Sequence, residues 1–269
     1  MKVIKVNLND ERDDKLDEIR IIPIADAHIG DKTANLKKLK EVIKKIEEEP
    51  NTYTIINGDL CNVALKTSKS DVYSDQMSPM EQINTLIELL EPIKDKILVM
   101  SSGNHENRIT KDTSIDVLDL ASRELGIHDR YSNSWWYLYL RFGEKDQGRK
   151  APMTYVITGY HGSGGGRRSG GKVNRLEEMS QVVIADLYIM SHTHKPMTTT
   201  GVIYLPDFAN NTLNRKEMHY LMTNSFLEYE GSYGEAMGMI PQSTGITEAV
   251  LDGHKRKIKT ILWGDKCDI

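Results

Sequence analysis

Five short segments carry side chains that bind metal ions: Asp26-Ala27-His28, Gly58-Asp59, Gly103-Asn104-His105-Glu106, His161 and His192-Thr193-His194. Of the eight histidines in the chain, five fall within these segments. The donors are carboxylate and amide oxygens and imidazole nitrogens, with no thiolate. That mixture suits Mn, Fe, Zn or Ni better than calcium or a structural zinc–thiolate site. The donors outnumber what one catalytic zinc uses. Two divalent ions about 3.5–4 Å apart and sharing one carboxylate would use them. Such a pair generates hydroxide at neutral pH, clamps a phosphate by its oxygens and neutralises charge in an in-line displacement.

Most of these segments follow a short apolar run, as residues at the tips of buried strands do. Ile19–Ala25 reads as a strand with Pro23 near its end, Tyr53–Ile56 as a second and Ile97–Met100 as a third. Leu36, Leu39, Val42, Ile43 and Ile46 recur at helical spacing, as do Met80, Ile83, Leu86, Ile87 and Leu90. A third helix is predicted over Ser114–Leu125, and an edge strand over Val3–Val6. Beyond residue 130 the pattern changes. Trp135–Phe142, Met153–Thr158, Leu187–Met190 and the stretches 199–206, 217–223, 246–251 and 257–263 read as strands. A βαβαβ first half and a β-rich second half predict an α/β fold with two packed sheets and helices outside. One domain over 1–269 is expected, with a motif core at about 19–196 and a β-rich part, 197–269, completing the second sheet. Ligands of open α/β folds collect at the carboxyl ends of strands, where Asp26, Asp59 and Asn104 stand. A His-x-His on an extended segment is expected to send both rings to one face, and the same holds for Asp26 and His28.

The remaining composition excludes several classes. With 35 Lys and Arg against 39 Asp and Glu the net charge is −4, so no protein-wide basic field draws nucleic acid. Cys61 and Cys267 stand in no ligand spacing and read as free thiols of a reducing compartment. No apolar run approaches ~18 residues, and no apolar h-region follows Met1. The expectation is a cytoplasmic protein with no membrane partner, and no pattern sets an oligomeric state. His128, His219 and His254 lie outside the segments and read as surface or structural residues. Trp135 and Trp136 read as the two faces of one strand rather than a base-stacking platform.

The loop after His161 is rich in glycine and arginine. Gly166 to Lys172 matches GxxxxGK, but Val173 stands where the Mg-binding hydroxyl belongs, so ATP binding is not expected. Arg167, Arg168, Lys172 and Arg175 read either as contacts for substrate phosphates or a nucleic-acid backbone, or as part of a flexible surface loop. Arg108 is a candidate for bidentate contact with a phosphate, with an ordinary surface ion pair as the alternative. A zinc-protease reading fails because Ile109 occupies the second histidine position of H-E-x-x-H. A β-lactamase-like metal hydrolase fails because Lys195 and Pro196 follow His194.

Asp26-x-His28, Gly58-Asp59, Gly103-Asn104-His105-Glu106, His161 and His192-x-His194, in this order from about Ile21 to Pro196, resemble the calcineurin-like metallophosphoesterases. The resemblance implies a four-layer α/β/β/α sandwich, two mixed sheets flanked by helices, with the active site at one sheet edge. It implies that Asp26, His28 and His194 hold one metal, that Asn104, His161 and His192 hold the other, and that Asp59 bridges them. His105 would be the non-ligand histidine that protonates the leaving oxygen or stabilises the transition state. Mn is the expected ion. Two departures stand out: Ser191 where the family often has glycine, and Asn62 where many nuclease-like members have Asp or His. The expected activity is phosphate-ester hydrolysis, leaning to phosphodiesters of nucleic acid or nucleotide. A phosphomonoesterase or protein-phosphatase-like enzyme is the alternative, and a metal-free scaffold the outside one.

Overall fold

The computed structural model describes residues 2–8, 16–65, 73, 75–142, 153–164 and 168–264. Two six-stranded sheets face each other. In the first, β2 (Glu18–Ile21), β3 (Thr52–Asn57), β4 (Ile97–Ser101) and β5 (Tyr131–Ser132) run parallel. Two late strands, β11 (Thr247–Asp252) and β12 (Ile258–Leu262), add antiparallel beside β2. The second sheet has the order β1 (Lys2–Leu8), β6 (Trp136–Phe142), β7 (Met153–Tyr160), β8 (Leu187–Met190), β10 (Thr212–Met222) and β9 (Met197–Asp207). β7, β8 and β10 are parallel, and β9 forms an antiparallel hairpin with β10.

The strand sequences explain the layering. Successive side chains of a strand point to opposite faces, and both faces of these sheets are covered. Ile21, Ile55 and Val99 point inward, against Leu138, Ile157, Ile189 and Leu221 of the second sheet. Ile22, Ile56 and Met100 point outward, against Leu39, Val42, Ile43 and Ile46 of α1 (Leu36–Glu48) and Leu86 and Leu90 of α2 (Pro79–Leu90). Each such aliphatic side chain contributes about 1.5–3 kcal/mol by leaving water. Ser78 caps α2 through a full capping box with Glu81, and Pro79 opens it. On the far side, Tyr188, Met190, Tyr220 and Met222 receive Leu176 of α5 (Ser169–Glu178). The order is helix, sheet, sheet, helix.

Three elements differ from the sequence reading. The C-terminal part does not only complete the second sheet, because β11 pairs with β2 of the first. The predicted helix over 114–125 is shorter, α4 (Val117–Glu124), capped by Asp116. A further helix, α3 (Asn104–Thr113), precedes it, ending at Ser114 in the left-handed region. Ile109 is its one apolar residue, so no apolar period could reveal it. No helix among the described residues is long and apolar enough to cross a membrane.

Candidate metal centre

β2, β3 and β4 are parallel neighbours, so their carboxyl ends share one edge of the first sheet. β7 and β8 do the same in the second. The chain leaves these ends in sharp turns. Asp26, His28, Asp59, His192 and His194 all have positive φ, between +47° and +66°. Non-glycine residues avoid this region, and such strain persists only where surrounding structure enforces it. Hydrogen bonds from Asp26 N to Gly58 O (3.0 Å) and from His28 N to Asp59 O (3.1 Å) lock two of these turns together.

These turns correct the expectation for His-x-His. The segment is not extended, and its two rings do not share one cluster. His194 groups with Asp26 and His28, while His192 groups with Asp59 and His161. Asp26 and His28 do meet, through left-handed turns rather than strand alternation. In each group one ligand atom per residue lies within 4.8 Å of the others. A third such group, His28, Asp59 and His105, lies between them. Asn104 joins through its Oδ1, 3.2 Å from His161 Nε2.

The donor atoms fit divalent cations. Asp26 Oδ1 is buried without a hydrogen-bond partner, although His194 Nε2 stands 3.1 Å away. His28 Nε2 and His194 Nε2 face each other at 3.4 Å. His161 Nε2 stands 3.0 Å from Asp59 Oδ2. The unpartnered Asp26 Oδ1 is what a cation would satisfy, and the converging O and N donors match borderline divalent ions. His161 has an orienting partner, since its Nδ1 donates to Asn57 O at 2.8 Å. His28 Nδ1 has none.

Three residues that the sequence reading left without a role hold this centre. Glu106 is buried, and its carboxylate accepts four backbone N–H groups: Asp59 (3.0 Å), Leu60 (2.7 Å), Cys61 (3.0 Å) and Gly103 (3.0 Å). One side chain thus fixes the Asp59 turn to the start of α3. Asn57 is buried under the site. Its Nδ2 donates to Tyr160 O and Ser191 Oγ, and its Oδ1 accepts from Trp136 Nε1 and Ser101 Oγ. It ties the two sheets together where the ligands emerge. Ser191, the departure from the glycine of the resembled family, is one of its partners. Gly103 backs onto Asp59, where an added Cβ would lie 2.1 Å from Asp59 Oδ1. A polar residue closing an apolar strand was the only signal for Asn57. Glu106 was visible as part of its motif, without its task.

His105 sits beside the candidate ligands. Its backbone N–H donates to Asp59 Oδ1 at 2.8 Å. Its ring is held at both nitrogens, Nδ1 by Asn62 O (2.8 Å) and Nε2 by Arg108 Nη2 (3.1 Å). An arginine donates only, so Nε2 accepts and Nδ1 carries the proton in this arrangement. Asn62, the second departure, serves His105 through its backbone carbonyl and bonds Asp75 through its side chain at 2.6 Å. Arg108 Nη1 is buried without a partner.

The charges shift as the packing dictates. Burial drives the His28 imidazole well below its ordinary value, and His105 adds to this. Burial lowers His105 too, against the opposing pull of Asp59. Burial also disfavours charge on His161, yet Asp59 overcomes it and lifts that ring to about 10. Burial and the charge of Asp59 raise Glu106 to about 7.

The remaining candidates lie further out. Arg168 is exposed at the start of α5, and Arg167 lies outside the described residues. Lys172 donates to Thr193 O, and Arg175 to Ser163 O. His128 and His254 make surface contacts with Asp119 and Asp17, and His219 is buried in the second sheet. Trp136 is buried, whereas Trp135 stacks on Tyr160 with ring centroids 4.6 Å apart. Cys61 is a buried free thiol.

The family model for calcineurin-like phosphoesterases matches residues 19–217. The 3-dehydroquinate dehydratase of Pyrococcus abyssi is 27% identical over 163 residues, 60% of this chain and 75% of that protein. Its activity describes that protein. Among solved structures, a conserved protein of Streptococcus pneumoniae described as a predicted phosphoesterase aligns with 91% of this chain and 90% of its own, at 12% identity and a TM-score of 0.36. A single mutant of Vps29 from Entamoeba histolytica aligns with 91% of this chain and 100% of its own, also at 12% identity and a TM-score of 0.36.

Proposed function

Because the chain belongs to the calcineurin-like phosphoesterase family, and is a metal-dependent hydrolase of phosphoric esters, we propose that it uses two divalent ions and acts on phosphodiesters. The observation that carries the dinuclear reading is the pair of ligand groups with no residue in common: Asp26, His28 and His194 on one side, Asp59, His161 and His192 on the other. Asn104 Oδ1 completes the second group. Asp59 is the bridging carboxylate of this reading, since it also falls in the intermediate group with His28 and His105. Bound there, two ions supply Lewis acidity, a nucleophile at neutral pH and charge neutralisation at phosphorus.

The chain's own residues supply the rest. Arg108 presents an unpartnered, buried Nη1 beside His105, a donor for a non-bridging phosphate oxygen. When a phosphate takes Arg108, the Nε2 of His105 is released to take up a proton from solvent, and the resulting imidazolium donates that proton to the leaving oxygen. His105 then acts at that atom, held in orientation by Asn62 O. Manganese is the ion of choice in this reading, and Arg167 and Arg168 are its candidate substrate-binding residues. The diester preference rests on the cations Arg168, Lys172 and Arg175 beyond the centre, which a small monoester would leave unused.

Hydrolysis of bis-p-nitrophenyl phosphate beside p-nitrophenyl phosphate tests this. The chain is stripped with EDTA and reloaded with Mn²⁺, with Asn104→Ala as the blank. Diester turnover above the blank is expected. Turnover of the monoester alone would make the chain a phosphomonoesterase.

A further inference from the structure

We propose, on the basis of the phosphodiester reading, that Lys172 and Lys195 form a subsite for the phosphate that neighbours the scissile one along a single nucleic-acid strand. Lys172 lies in the first turn of α5, and its Nζ donates to Thr193 O at 2.9 Å. Thr193 is the residue between His192 and His194. Lys195 follows His194 directly, and its Nζ donates to Ser169 Oγ at 2.5 Å, back on α5. The two ammonium groups thus stitch the histidine turn to the helix from opposite ends.

Both lysines are half-buried, and neither has a carboxylate within ion-pair distance among the described residues. Each uses one of its three N–H donors on a neutral oxygen. Arg168, at the same end of the helix, has no ion pair there either. Burial lowers the Lys172 pKa, and the charge of Lys195 lowers it further. Two like charges held together out of bulk water repel each other, and a bound anion would relieve both the repulsion and the lost hydration. The chain carries more Asp and Glu than Lys and Arg, so acidic partners were not scarce. Among the described residues the helix start beside the lysines is open, since a Cβ added at Gly170 or Gly171 meets nothing within 4 Å. Lys195 follows His194 and Lys172 holds Thr193 O, so in this proposal a strand whose scissile phosphate lies among the histidines meets them with its next phosphate.

The test compares the dinucleotide TpT, with one diester, and the trinucleotide TpTpT, with two, on the Mn²⁺-loaded chain. A charge-assisted contact to the second phosphate favours TpTpT in kcat/KM by about tenfold, expressed in KM. In Lys195→Gln, and in the double variant with Lys172→Gln, this preference falls towards the statistical factor of about two for two cleavable bonds. A preference unchanged in both variants overturns the subsite. An equal loss on both substrates also overturns it, because it assigns the lysines to holding the histidine turn. Fluorescence anisotropy of a labelled oligothymidylate in EDTA gives a readout free of turnover. The slope of log K against log salt should shrink by about 0.7 in the double variant, the value for one phosphate of a single strand. An unchanged slope contradicts the subsite even if neither nucleotide is cleaved. A shrunken slope with no cleavage of TpT or bis-p-nitrophenyl phosphate keeps the subsite and removes the diesterase reading.

Discussion

The Glu106 carboxylate accepts the backbone N–H of Asp59 at 3.0 Å, and through it the centre's candidate bridging residue is held in a left-handed turn. The same carboxylate takes the N–H groups of Leu60, Cys61 and Gly103. The turn that carries one candidate ligand and the helix that carries another are therefore set by one side chain. Replacing it with an amide turns two acceptor positions into donors facing N–H groups. Glu106→Gln is expected to lower stability by about 3 kcal/mol and to weaken Mn²⁺ binding by roughly 10–100-fold. Urea denaturation and Mn²⁺ titration check the two effects. Unchanged metal affinity would reduce Glu106 to a purely structural residue.

Gly103 answers to the same geometry. A methyl group at this position would collide with Asp59 Oδ1, 2.1 Å from the added Cβ, and with Asp59 N at 2.4 Å. Gly103→Ala should displace the Asp59 carboxylate and leave the far side of the sandwich intact. Circular dichroism should stay native while Mn²⁺ binding and phosphoesterase activity fall together. Native metal content would show that the turn yields without disturbing its ligand.

His105 and Arg108 should separate in kinetics. His105→Ala is expected to keep its metals and lose kcat by roughly 10²-fold or more. Arg108→Ala removes a phosphate contact and should raise KM more than it lowers kcat. Metal analysis of both variants, beside kcat and KM on one ester, is the check. Loss of metal in His105→Ala would move that residue into the ligand set.

Asn57 and Asp186 offer a contrast between the two ends of the sandwich. Asn57 joins β3 to β4, β6, β7 and the residue after β8. Asn57→Ala leaves the buried Trp136 Nε1 and Ser191 Oγ without this partner, at about 2–4 kcal/mol. Asp186 stands at the amino end of β8, paired with Lys216 and Arg256. Asp186→Asn should cost about 2 kcal/mol, because Arg256 remains half in water. Both variants lose thermal stability, but only Asn57→Ala should also lose metal affinity. Equal metal affinity in the two would deny Asn57 its place beneath the centre.

Metal should itself stabilise the fold. The candidate ligands come from five segments that are scattered in the unfolded chain, so ions held by them would bind the native state alone. Free Mn²⁺ at 100 times its dissociation constant adds about 2.7 kcal/mol. The melting temperature should rise with Mn²⁺ and fall with EDTA, and Asp59→Asn should abolish most of the response. A melting temperature indifferent to Mn²⁺ would speak against a native-state ion site.

Much of this was legible because each chemical segment follows an apolar run, and an apolar run bounded by a turn is what a doubly covered strand requires. The paired β2, β3 and β4 were readable in that way, and so were α1 and α2 from their spacing. α3 was hidden because a helix that begins with Asn104 and His105 has little apolar face to show. The return of β11 to β2 was hidden because pairing across more than two hundred residues leaves no local trace. The expectation that the rings of His192 and His194 face one way failed for a specific reason. Period-two alternation assumes extended backbone, and φ is +66° and +53° at these residues. Glu106 and Asn57 act through backbone atoms and through other buried side chains, so their tasks appear only once the turns are folded.

Isothermal titration of Mn²⁺ into the EDTA-stripped chain, with Asn104→Ala and Asp59→Asn alongside, tests the two-ion centre most directly. Two ions per wild-type chain are expected, with weakened binding at one position in Asn104→Ala and at both in Asp59→Asn. A wild-type stoichiometry of one, or titrations in which neither variant changes binding, would contradict the two-ion centre.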